Sequence, residues 1–94
     1  MALVKNVEKR IWDIEGFAVI IRHPDGRDMR GDRTGIPMYP YARMARNAMT
    51  VSAWKEQRFY PNYAGLEVDV LNGYGEIVIG NTLLSTVRDS YAED

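Results

Sequence analysis

Val4, Val7, Ile11 and Ile14 recur at steps of three and four residues, the spacing of one helix face. The following stretch, RIWDIEGFAVIIRH, is too rich in β-branched and aromatic residues to continue as helix, and from Phe17 onward the pattern predicts a strand. Gly16 marks either a helix end or a bend in one long strand, so residues 1–15 fit either state. In HPDGRD, Pro24 presets the first corner of a type I turn and Gly26 supplies a positive φ. Pairing His23 with Arg27 sets Arg22 opposite Asp28 and Ile21 opposite Met29. Phe17, Val19, Ile21 and Met29 then share one apolar face, and a hairpin is predicted near residues 17–31.

RGDRTGIPMYP reads as a loop, with Gly31, Gly35, Pro37 and Pro40 close together. Pro40 suits the first turn of a helix to about Met49, with Ala42, Ala45 and Met49 on its apolar side and Arg43 and Arg46 opposite. Thr50 caps a further helix that ends before Pro61, with Met49 and Trp54 placed as a hydrophobic staple. LEVDVLNGYGEIVIG carries the strongest local signal. Asn72-Gly73 between alternating strands predicts a type I′ turn, with Val68 facing Ile77 and Leu66 facing Ile79. A four-residue loop would move the partners by two and keep the same apolar face. From Thr82 to Tyr91, Leu84, Val87 and Tyr91 fall at helical spacing behind Asn81 or Thr82 as a cap, with strand the alternative for residues 82–91.

The expectation is one α+β domain over residues 1–94. Two antiparallel β-hairpins form one sheet, packed by two or three helices on one face. The 94 residues are 46% apolar and 27% charged, an ordinary globular balance in a chain small enough to gain from self-association. The absence of cysteine excludes disulfides and thiolate chemistry, and with a single histidine it excludes zinc sites built from Cys and His. The first ten residues carry no secretory apolar run, and no run approaches the roughly 20 residues that span a bilayer. A cytoplasmic protein without membrane contact is expected.

A net charge of −1 conceals an uneven distribution: residues 21–60 carry a net +4 and residues 61–94 a net −5. Such halves form an anion-binding face, or attract each other within or between chains. Arg27, Arg30, Arg33, Arg43 and Arg46 interleave with Tyr39 and Tyr41, the residue types that pair with phosphates and stack on unpaired bases. Arg22 belongs to the same basic run. The five arginines from Arg27 to Arg46 and the two tyrosines are the candidate nucleic-acid or partner-binding residues, although a pI of about 5.8 is not that of a basic nucleic-acid domain. Tyrosine and arginine are equally the residues of protein interfaces.

Other chemistry fares worse. Arg30-Gly31-Asp32 matches an adhesion motif by letters alone, in a chain with no export signal. The same loop lacks the Gly-Lys-Ser/Thr ending of a phosphate loop, and Asp25, Asp28 and Asp32 lack calcium-loop spacing. His23 stands beside a turn without a converging nucleophile. Glu67, Asp69 and Glu76 share the polar face of the second hairpin, with Asp69 opposite Glu76 in the tighter register. They are weak candidates for a metal site or for acid–base chemistry. No family motif stands in these residues, no cofactor is implied, and an enzyme is the less favoured class. The favoured function is a small protein-interaction module, acting as a homodimer or with another protein. Nucleic-acid binding is the first alternative, and a ligand- or metal-binding protein or enzyme using the acidic face is the second.

Overall fold

The N-terminal stripe becomes helix α1, Val4–Glu15, in the computed structural model of the protein, which describes residues 2–91. Val4, Val7 and Ile11 are fully buried along it. The helix ends at Gly16, whose left-handed backbone (φ 80°) lets its N–H reach the Trp12 carbonyl at 3.0 Å. Among the described residues no side chain caps its start. The Val4 and Lys5 N–H groups donate instead to the Arg33 and Gly31 carbonyls at 2.8 and 2.9 Å. The Arg-Gly-Asp loop thus satisfies donors that a helix start leaves open, through its backbone alone.

Strands β1, Ala18–Arg22, and β2, Glu67–Leu71, pair antiparallel, with Ala18 opposite Leu71 and Arg22 opposite Glu67. Val19 faces Val70 and Ile21 faces Val68, so four buried side chains share one side of the ribbon. The helices send Val7, Ile11, Val51, Trp54, Leu84 and Val87 into the same cluster. The class is α+β, built on a two-stranded antiparallel sheet.

The two expected hairpins are corrected by this pairing. Their first arms, β1 and β2, pair with each other, while their second arms make only isolated bridges, Arg22 with Asp28 and Leu71 with Ile77. The first turn has the expected register: the His23 N–H donates to the Arg27 carbonyl at 2.8 Å, and Gly26 sits at φ 91°. Its ladder stops early because the Ile21 N–H, which further pairing would aim at Met29, donates to Glu8 Oε2 at 2.9 Å. The chain beyond then turns toward the start of α1.

The second turn departs from type I′. The Asn72 N–H donates to the Glu76 carbonyl and the Gly75 N–H to the Asn72 carbonyl, both at 3.0 Å. Gly75 (φ 78°), not Gly73, holds the positive φ. The loop between Asn72 and Glu76 therefore has three residues, and Leu71 rather than Val68 stands opposite Ile77. An odd shift of register exchanges the two faces of a strand. Val78 packs against the core, while Ile77 and Ile79 stand in solvent at 58% and 70% exposure.

The predicted helix from Pro40 to Met49 is absent, and the segment is irregular. Its backbone groups serve distant partners: the Ala45 N–H donates to Glu15, the Arg43 carbonyl accepts from Arg58, and the Met49 carbonyl accepts from the Leu84 N–H. Tertiary demand overrides the local preference. Helix α2, Val51–Trp54, starts as expected, with the Ala53 N–H donating to Thr50 Oγ1 at 3.1 Å, and widens into a π-helix over Lys55–Phe59. Helix α3, Leu84–Asp89, starts after Leu83, without a side-chain cap from Asn81 or Thr82.

Candidate interaction surface

The register of the second turn builds the most distinctive surface of the molecule. Tyr74, at the tip of the turn, is 80% exposed, and Ile77, Ile79 and Leu83 follow along the same stretch. Tyr74, Ile77 and Ile79 line a groove of about 360 Å³ whose other wall is Thr86 and Val87 of α3 and Ser90 just after it. The segment is held at both ends. The Val78 N–H donates to the Val70 carbonyl at 2.8 Å, and the Ser52 N–H donates to the Gly80 carbonyl at 2.8 Å. A β-carbon on Gly80 would strike Ser52 Oγ, so glycine permits this close approach. Among the described residues the Ile77 N–H and C=O and the Ile79 N–H meet no hydrogen-bond partner. Exposed apolar side chains thus flank an open backbone edge.

A second cluster, inside the protein, escaped the sequence reading. Glu15 is fully buried. Its Oε1 accepts from the Ala45 N–H at 2.7 Å and Arg88 Nη2 at 3.1 Å, while Oε2 accepts from Arg58 Nη1 at 2.8 Å and the Tyr39 hydroxyl. Trp54 Nε1 donates to the Tyr39 hydroxyl at 3.1 Å, and the Arg58 guanidinium lies over the Tyr41 ring. Burial, reinforced by the bond to Glu15, pushes the Tyr39 phenol well above its ordinary range. Burial also pulls the Arg88 guanidinium below its usual value, against the opposing pull of Glu15. This arrangement fastens α1, the 39–45 segment, the π-helix and α3 to one carboxylate. A signal existed, because Glu15 stands four residues after Ile11 and continues the buried stripe.

The predicted basic residues are dispersed in their environments. Arg27 pairs with Asp25 at 2.7 Å and Arg30 with Asp32 at 3.2 Å. Arg30 and Arg33 line a shallow cleft of about 330 Å³ with His23 and Asp32, whereas Arg46 lines a separate depression beside Met49 and Thr50. Arg43 is exposed, and Arg22 bridges Asp28 and Asp69. Tyr39 is buried and its hydroxyl is engaged, and Tyr41 is half-buried.

The acidic trio is likewise divided. Glu67 accepts from the Tyr60 hydroxyl at 2.8 Å, Asp69 meets Arg22, and Glu76 accepts weakly from Asn72 at 3.4 Å. Asp69 stands opposite Ile20 in the sheet, not opposite Glu76. Among the described residues no three metal-ligating side chains converge, and no helix is long and apolar enough to cross a membrane. A scan against family models finds no match for this chain, and searches of curated proteins and solved structures return none either.

Proposed function

We propose that this protein is a non-enzymatic interaction module that associates with itself through the face formed by Tyr74, Ile77 and Ile79. The observation that carries this reading is the exposure of neighbouring large apolar side chains on a segment anchored at both ends. Contiguous apolar surface costs free energy in water, and burying it drives association. Preorganisation adds to this, since little backbone freedom remains to be lost on binding. The pairing of Arg27 with Asp25 and of Arg30 with Asp32 favours this reading over a nucleic-acid surface, whose phosphate contacts need unpaired cations on one side.

Light scattering across a concentration series tests the proposal. The expected mass rises above the 10.8 kDa of one chain as concentration increases, with little response to added salt. A single-chain mass throughout would overturn it. Binding to single-stranded nucleic acid that falls steeply with salt would transfer the function to the basic residues.

A further inference from the structure

Resting on the self-association reading, we infer that two copies pair edge to edge through the 76–79 segment, antiparallel, with a two-fold axis at Val78. The bridge of Leu71 with Ile77 lies between two bonds to β2: Asn72 N–H to the Glu76 carbonyl and Val78 N–H to the Val70 carbonyl. Alternation along an antiparallel ladder aims the backbone groups of residues 76 and 78 at β2 and those of residue 77 at the opposite side. Among the described residues the outward groups left without partners are the Ile77 N–H and C=O and the Ile79 N–H. A second copy of the same segment supplies the complement of the Ile77 C=O and the Ile79 N–H, while the Ile79 carbonyl that would face the Ile77 N–H already accepts from its own Thr82 N–H at 3.1 Å. The Ile79 N–H of each copy donates to the Ile77 carbonyl of the other, and the two sheets become continuous.

The side chains select this register. With Val78 on the axis, Ile77 of one copy lies directly across from Ile79 of the other, so four exposed isoleucines close into one apolar cluster. Glu76 falls opposite Gly80 of the second copy, and no like charges meet. With Ile77 on the axis, Ile79 would instead face Gly75, which is held in the turn at positive φ. Residues 77–79 also lack the lysine, proline or inward charge with which edge strands block such pairing. The exposed parts of Ile77 and Ile79 offer roughly 200 Å² per copy. With the strand backbone, two copies bury several hundred Å², roughly half of the about 1,000 Å² of a stable specific interface and in the range of transient ones. A weak, concentration-dependent dimer follows.

The test compares sedimentation of the wild-type protein, the double variant Ile77→Lys/Ile79→Lys and the double variant Ile77→Lys/Ile79→Glu. Concentrations run from about 1 µM to about 1 mM. Both substituted positions are solvent-facing, and equal unfolding midpoints establish that the variants fold. In the stated register an introduced ammonium at 77 faces position 79 of the second copy. The first variant therefore sets like charges across the axis and the second sets opposite ones. The expected result is a wild-type dimer, an increase of about 100-fold or more in the dissociation constant of the first variant, and a dimer retained by the second that weakens with salt. If the first variant dimerises like the wild type, edge pairing is wrong while self-association stands. If both variants are monomeric, the Val78-centred register is wrong. If the wild type is itself monomeric throughout, both the pairing and the self-association reading fall.

Discussion

Glu15 shows how much one residue arranges here. A carboxylate taken out of water is tolerable only when its oxygens are fully bonded, and its two oxygens collect an amide, two guanidinium groups and a phenol. Replacing it by Gln keeps the shape but leaves two cations without their shared anion. Glu15→Gln is expected to lower stability by about 3 kcal/mol or more, read as a fall in the urea midpoint. Tyrosines give a second handle at this scale. Burial, then the bond to Glu67, pushes Tyr60 up to about 12, and burial raises Tyr39, Tyr63 and Tyr91 as well. An unfolded tyrosine loses its proton near pH 10, so the folded state binds more protons above that point. Stability is whole below about pH 10 and falls as pH climbs toward 12, which urea midpoints at about pH 8 and about pH 11 will show.

At the scale of elements, the turn after β2 separates two kinds of glycine. Gly75 needs only its left-handed backbone, since a β-carbon there meets open space. Gly73 has an ordinary φ, but a β-carbon on it would collide with the Ser90 carbonyl of the chain following α3. Gly75→Ala is expected to cost about 1 kcal/mol and Gly73→Ala more, because backbone must move to admit it; unfolding midpoints of both variants check the order. The same turn marks the limit of what the sequence could tell. The apolar spacing of residues 4–14, though not its choice of helix over strand, the strand after Phe17, the register of the first turn and the Thr50 cap were legible, because neighbours in sequence determine them. The second turn was not, since Asn72-Gly73 and Gly75 offer two loop lengths and the choice involves contact with α3. Nor was the 40–49 segment legible, because its helix pattern is outweighed by what Glu15, Arg58 and Leu84 take from its backbone. The apolar face was lost with the turn: a two-residue loop would have placed Ile77 and Ile79 inside.

For the whole molecule, the opposition between a basic middle and an acidic end resolves into few direct contacts. Arg22 reaches across the sheet to Asp69, and Arg27 and Arg30 are neutralised within their own loop. Exposed ion pairs of this sort contribute little. Changing Arg30, Arg43 and Arg46 together to Ala should leave the unfolding midpoint and the mass in solution nearly unchanged. A fall in the mass alone would show that the basic surface, and not the apolar one, holds copies together. The loop that drew attention by its letters has a different task, since its carbonyls close the start of α1.

The three-residue loop between Asn72 and Glu76 also has a heritable side. Because strand faces alternate residue by residue, loss of one codon at Gly73 or Gly75, with a three-residue loop re-formed from the shortened sequence so that the pairing slips by one, would turn the following segment over. Ile77 and Ile79 would then point toward the core and Val78 outward, with no substitution at any contact position. On the proposed reading, a population carrying both chain lengths would hold a sociable and a solitary form of the same protein. Selection could move between them in a single mutational step, by the loss or gain of one glycine in the turn.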